Sequence, residues 1–323
     1  MKTIEHFIPN GDGWHLSIFQ TWDESRLIKG RNPVLIVPGY GMNSFIFSYH
    51  PRGASLEGYL AQAGFEVWRV DLRAQGRSVS VGGSDDFRLE DLALTDLGAA
   101  LRAALDRSHT GATRADVIGA SLGGTMMLIH AALQKDNLLG SLVAMGSPLR
   151  WVEIHPLIKI AFAWPALIGL VQLKGTRKLA GFALPHLVRR TPWLLSVYMN
   201  AEVTDMGAAA EMVQTVEDPN RHINREIAHW IKNRDLMVKG VNVSHALKSV
   251  KNPLLSVLAS NDGIVPRRTA EFPHQTVSSK VKKLIEVGDK GWAMAHADMF
   301  VSNESQDRVF EPVAAWLISP SGG

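Results

Sequence analysis

Three features of the sequence predict an α/β fold, a mostly parallel eight-stranded sheet flanked by helices and carrying a helical insertion. Strand and helix signals alternate from about residue 33 to residue 150, as a parallel sheet wrapped by helices requires. After Pro148 the alternation stops, and composition stays mostly helical from about Leu149 to Leu247 before strand signals resume at Pro253. Residues suited to chemistry fall in the loops that follow apolar runs, where strand ends meet solvent. The expected organisation is an α/β domain over 1–149 and 246–323, with a helical cap over 150–245 inserted after the sixth strand.

Each element has its own signal. Thr3 to Pro9 and Trp14 to Thr21 flank Asn10-Gly11-Asp12-Gly13, a turn that joins two strands as an antiparallel hairpin at the sheet edge. Val34 to Val37 is an apolar strand followed by the bend Pro38-Gly39-Tyr40-Gly41-Met42-Asn43. Val70-Asp71-Leu72-Arg73 closes the fourth strand, where Asp71 and Arg73 are expected to brace the loop. Ala115 to Ile118 forms the fifth strand, and Met126 to Leu133 the helix behind it. The sixth ends at Ser147-Pro148. Pro253 to Leu258 and Lys282 to Val287 are the seventh and eighth strands.

Ser121 stands in Gly119-Ala120-Ser121-Leu122-Gly123, between the fifth strand and its helix. A serine on so sharp a strand-to-helix turn has strained backbone angles, and strand and helix then pass so closely that residues two away must lack side chains. Gly119 and Gly123 meet that demand. Two further groups follow in order. Asp262 lies in Ala259-Ser260-Asn261-Asp262-Gly263, the loop leaving the seventh strand, and His296 lies in the loop after the eighth. Asp262 can also simply cap the helix that begins near Pro266. Nothing acidic follows the sixth strand, which favours Asp262 as the partner of the histidine, with Asp289 and Asp298 as reserve acids.

The order serine, aspartate, histidine suits acyl transfer. A serine hydroxyl is a weak nucleophile at neutral pH, so His296 would take its proton during attack and return it to the leaving group. Asp262 would hold the imidazole tautomer. The tetrahedral intermediate needs fixed donors for its oxyanion, worth about 3 to 4 kcal/mol each. The backbone N–H of Leu122 is one candidate. The second is assigned to Tyr40, with Gly41 as its close competitor.

On these residues the chain resembles a serine hydrolase of the α/β-hydrolase superfamily. The matching landmarks are Pro38-Gly39-Tyr40-Gly41, Val70 to Ser78, Gly119 to Gly123, Asp262 to Pro266 and His296, which together span nearly the whole chain. The segment Ser55 to Trp68 resembles the acid-lipase and polyhydroxyalkanoate-synthase-like branch. Many relatives begin the oxyanion loop with His-Gly, where this chain has Pro38-Gly39. Polyester synthases use a cysteine nucleophile, and the chain has no cysteine. The resemblance therefore implies the α/β-hydrolase fold and a carboxylic ester hydrolase, esterase-like or lipase-like. An acyltransferase or thioesterase with the same triad and a non-catalytic binding protein of this fold are the alternatives.

Composition narrows the partners. With 323 residues, 46% hydrophobic and 20% charged, the chain can bury one large core. The net charge of +3 is small, and no compact basic block interleaved with aromatics points to nucleic acid. Absence of cysteine removes disulfides and thiolate metal sites, and is compatible with a reducing, cytoplasmic location. The start Met1 to Phe7 does not read as a signal peptide. No dinucleotide or Walker pattern appears, and His222 and His229 lack a completing ligand set, so neither cofactor nor metal is expected.

The cap is expected to choose the substrate. Pro156 to Leu173 is almost continuously apolar, but Lys159 and Pro165 interrupt it short of a bilayer-spanning length. Basic residues without acidic ones between His155 and Ala201 would tolerate an anionic lipid surface, yet packing on the catalytic domain is the favoured reading. An apolar acyl pocket under a helical lid follows more readily, and the expected small-molecule partner is a hydrophobic ester. Gly41, Met42, Trp151, Trp164, Trp230 and Trp292 are the candidate walls, with Trp193 as a further tryptophan of the same kind.

Overall fold

The first hairpin closes because Asn10 builds its own turn. Its Oδ1 accepts hydrogen bonds from the N–H groups of Asp12 (2.8 Å) and Trp14 (3.1 Å), while Gly11 and Gly13 take positive φ. This joins β1 (Lys2–Pro9) to β2 (Trp14–Trp22) in antiparallel register from Lys2 opposite Trp22 to Pro9 opposite His15. The computed structural model describes residues 1–135, 138–162, 175–182, 196–289 and 291–320.

The remaining strands are β3 (Val34–Val37), β4 (Val67–Asp71), β5 (Val79–Ser80), β6 (Ala115–Ala120), β7 (Leu139–Met145), β8 (Met237–Val238), β9 (Val241–Asn242), β10 (Leu254–Ala259) and β11 (Lys282–Val287). The main sheet runs β1-β2-β4-β3-β6-β7-β10-β11, with β5 set against β2 as the ninth strand. Pairing is parallel from β4 to β11, and β2 is antiparallel to both of its path neighbours. All eight expected strands are present. The ninth, β5, is two residues long, too short to leave an alternation in the sequence.

Strands β3, β6 and β10 are buried at every residue, which is why they read as unbroken apolar runs. Successive side chains point to opposite faces of the sheet. Leu35 and Val37 join Val117, Leu142 and Met126 in one core layer, whereas Val34 and Ile36 join Ile118, Val143 and Phe310 in the other. Burying a leucine or isoleucine stabilises by about 1.5 to 3 kcal/mol, so these strands add substantially to the stability of the sheet centre. Because these strands are parallel, the loops after β3, β6, β10 and β11 open at one edge of the sheet.

The loop after β4 is braced as expected. Arg73 places a two-pronged hydrogen bond on Asp96, with both side chains almost wholly buried, and reaches Asp12 in the hairpin turn. Asp71 accepts from the N–H groups of Ser44 (2.8 Å) and Arg77 (3.2 Å). Neither residue lines the cleft described below.

Between β7 and β10 the described residues are chiefly helical, with the small hairpin β8–β9 near the end. The longest helix among the described residues is Arg221–Asn233, capped by Asn220, whose Oδ1 accepts from the N–H of His222 at 2.8 Å. Ile223, Ile227, Trp230 and Ile231 recur at the spacing of one helix face, and all are buried. Of the apolar run from Pro156, the helix Pro156–Ala161 is described, and its later part lies outside the described residues. No helix among the described residues is long and apolar enough to cross a membrane.

Candidate active site

Ser121 follows the last residue of β6 and precedes the helix Leu122–Leu133. Its backbone sits at φ 52° and ψ −120°, a region that side-chain-bearing residues rarely occupy. The turn survives because its neighbours leave room. A Cβ on Gly123 would stand 2.2 Å from the carbonyl oxygen of Val37, and one on Gly119 would stand 2.4 Å from the Cα of Gly124. Both contacts are with backbone, which cannot step aside. The Ser121 N–H donates to Met145 O at 2.8 Å, tying the elbow to β7.

His296 and Asp262 come together from different loops. Nδ1 of His296 lies 2.6 Å from Oδ2 of Asp262, and their side chains are 8% and 3% exposed. The other carboxylate oxygen accepts from the N–H groups of Ile264 (2.9 Å) and Val265 (2.8 Å). Asp262 therefore folds its own loop with one oxygen and holds the imidazole with the other. That interaction occupies Nδ1 and leaves Nε2 as the ring nitrogen free of the carboxylate.

The reserve acids are engaged elsewhere. Asp289 accepts from Gly291 N–H (2.7 Å) and Trp292 N–H (3.0 Å) and shapes an exposed turn. Asp298 is fully buried and accepts from Ala295 N–H, Asn200 N–H and the Thr204 hydroxyl. Burial raises its carboxyl above the usual range, against the lowering effect of those donors and of nearby His296. It links the histidine loop to Asn200 and Thr204.

Ser121 and His296 line one cleft of about 240 Å³, together with Leu122, Tyr40 and Met42. The rest of its lining is mostly apolar and aromatic and includes Trp151, Trp230, Phe162, Tyr198, Ile227 and Ile231. Trp151 and Trp230 meet edge to face with centroids 5.5 Å apart, and Trp230 Nε1 donates to Leu149 O at 3.0 Å. Leu122 is the first residue of its helix, so its N–H has no partner within that helix. Tyr40 lies on the facing loop, whose Gly39 is packed so tightly that a Cβ would come within 3.0 Å of Ser121 Cβ.

Several candidates stand elsewhere. Trp292 is not on this cleft; it packs against the second core layer with the Arg308 guanidinium 4.9 Å over its ring. The loop that brings His296 inward turns Trp292 outward, and closeness in sequence to the histidine does not carry over to space. Gly41 lines a smaller neighbouring cavity and not the cleft itself. Trp164 and Trp193 lie outside the described residues. His222 pairs with Asp86 at 2.9 Å, and among the described residues no group of three His, Cys, Asp or Glu could hold a metal. Tyr198, Phe162, Ile227 and Ile231 escaped sequence reasoning. The apolar face of Arg221–Asn233 carried a usable signal for two of them.

The chain belongs to the alpha/beta hydrolase family, whose model matches residues 34–309. Its structure is similar to that of the esterase EaEST from Exiguobacterium antarcticum, at 15% identity and a TM-score of 0.64, covering 98% of this chain and 100% of that one. It is similar to the esterase RhEst1 from Rhodococcus sp. ECU1013, at 17% identity and 0.63, covering 99% and 100%. Monoacylglycerol lipase from Paleococcus ferrophilus matches at 16% identity and 0.64, covering 94% and 98%. No curated protein matches the chain by sequence. At such identities the structural likeness establishes the fold and leaves the reaction to be argued from the site.

Proposed function

We propose that the chain is a carboxylic ester hydrolase, esterase-like or lipase-like, that works through an acyl-enzyme on Ser121. The observation that carries this reading is the 2.6 Å contact of His296 with Asp262, where His296 and Ser121 line a single apolar cleft. Ser121 Oγ attacks the ester carbonyl carbon as His296 Nε2 takes its proton, and Asp262 stabilises the imidazolium. The backbone N–H groups of Tyr40 and Leu122 receive the oxyanion. His296 then protonates the departing alcohol, the C–O bond breaks, and water repeats the sequence on the acyl-serine to release the acid. These groups account for every proton transfer, and the proposal assigns the reaction no cofactor.

Residues 150–245 act as the cap, and their aromatic wall takes the acyl group. A cleft this apolar favours a hydrophobic acyl chain over a charged one, since a buried charge without a partner is strongly disfavoured. Absence of cysteine fits work in a reducing compartment such as the cytoplasm.

Fluorophosphonate labelling tests the assignment. Wild-type protein is expected to label and to hydrolyse p-nitrophenyl esters, and Ser121→Ala to do neither. Labelling that persists in Ser121→Ala would place the nucleophile elsewhere, and inactivity on every ester tried would favour a binding protein of this fold.

A further inference from the structure

Between Gly41 and Asn43 the loop after β3 makes its backbone hydrogen bonds to residues 215–217, and only at Ser44 does a backbone N–H return to the sheet, at Asp71. Glu217 N–H donates to Gly41 O (2.9 Å), and Asn43 N–H donates to Thr215 O (2.9 Å). Met42 and Val216 thereby form an isolated antiparallel bridge. The Thr215 hydroxyl donates to Asn43 O at 3.2 Å, and Asn43 Nδ2 reaches Gln214 O (3.0 Å) and Glu217 Oε1 (2.6 Å). Asn43, Thr215 and Asn224 are all buried. Buried backbone groups must find partners, and for Asn43 those partners lie in residues 214–217, so that contact helps to hold the loop's conformation.

One side-chain contact carries the attachment to Tyr40 itself. Its hydroxyl donates to Asn224 Oδ1 at 2.5 Å, and Asn224 is a polar residue on the buried, otherwise apolar face of the helix Arg221–Asn233. The phenol is pinned at its far end by the insertion, while Gly39 is wedged against Ser121 at the near end. The peptide between them is the one whose N–H was assigned to the oxyanion.

We infer that Asn224 is a positioning residue which, through the Tyr40 hydroxyl and together with the Gly41–Asn43 to Thr215–Glu217 bridge, makes a working oxyanion loop conditional on docking of the insertion. This rests on the ester-hydrolase reading above. An oxyanion donor acts only if held in advance at the oxygen's transition-state position, and a shift of about 1 Å can cost about a hundredfold in rate. The segment that supplies the acyl wall thus also holds the oxyanion loop, and substrate seated against that wall meets a loop already set by the same segment.

The test uses Tyr40→Phe, Asn224→Ala, their double variant and Asn224→Asp, in the full chain. Tyr40→Phe keeps the ring and the N–H and loses only the hydroxyl. Both single variants are expected to lower kcat on a p-nitrophenyl ester about tenfold or more with KM changed less than about twofold, as for an interaction made in the transition state. Fluorophosphonate labelling should slow in parallel. The double variant should be no worse than the poorer single one, because both remove one contact. Asn224→Asp keeps an acceptor for the phenol and should retain most of kcat.

Wild-type kcat in Tyr40→Phe, losses confined to KM, additive losses in the double variant, or no recovery in Asn224→Asp would overturn the inference. Failure of wild-type protein to label at Ser121 would instead sink the hydrolase reading and the inference with it.

Discussion

Asp262 holds His296 with one carboxylate oxygen and its own loop with the other, the imidazole contact being 2.6 Å and the loop contacts 2.9 and 2.8 Å. The two tasks fall on different atoms, so they can be separated by substitution.

Asp262→Asn retains an oxygen for the N–H groups of Ile264 and Val265 but offers His296 an amide. The fold should persist, with a melting temperature near that of wild type, while kcat falls by about four orders of magnitude through loss of the correct tautomer. Asp289→Asn should leave kcat within a few-fold, because Asp289 shapes only an exposed turn. Steady-state hydrolysis of a p-nitrophenyl ester compares the two, and the reverse ranking would move the acid to Asp289.

Gly123→Ala places a methyl group 2.2 Å from Val37 O, at the end of β3, and 2.6 Å from Pro38 O, at the start of the loop that leads to Tyr40. Neither can retreat without distorting β3, and the expected cost is about 3 kcal/mol. Urea unfolding should show a lower midpoint at unchanged slope, and labelling of Ser121 should be lost.

Ile227 lines the same cleft as Ser121. Ile227→Trp fills part of that space, and the ratio of kcat/KM for short over long acyl esters should rise about tenfold or more. Ile227→Ala should shift the ratio the other way. An unchanged chain-length profile in both variants would place the acyl group elsewhere.

Asp298 gives a pH signature. Its carboxyl is raised above 3.8 in the folded chain, chiefly by burial, so the folded state holds this proton more tightly than the unfolded state does. The associated stability is fully present below the ordinary carboxylate value and is lost as pH rises through the raised one. The melting temperature of wild type minus that of Asp298→Asn should therefore fall across that window as pH increases. A difference that grew with pH would show that the donors from Ala295, Asn200 and Thr204 outweigh burial.

Much of this arrangement was legible in the sequence because it depends on local pattern. Interior strands buried on both faces leave continuous apolar runs, and Gly119 and Gly123 flag the close crossing at Ser121. The nine residues of β2 and the turn at Asn10 declare a hairpin. Strand β5 and the β8–β9 hairpin were not legible, since two residues hold no periodicity. Nor was the placement of Trp292 away from the cleft, against the second core layer, with the Arg308 guanidinium from sixteen positions on over its ring. The pairing of Tyr40 with Asn224 spans 184 positions, and nothing in either neighbourhood announces the other.

The left-handed twist at Ser121 has a consequence for endurance. A serine kept at φ 52° stores on the order of 1 to 3 kcal/mol that a glycine in its place would not. Ser121→Gly, though inert, should outlast both the active chain and Ser121→Ala on heating, by several degrees. Readiness to react is thus held in the molecule as a tension that its resting state would be more durable without.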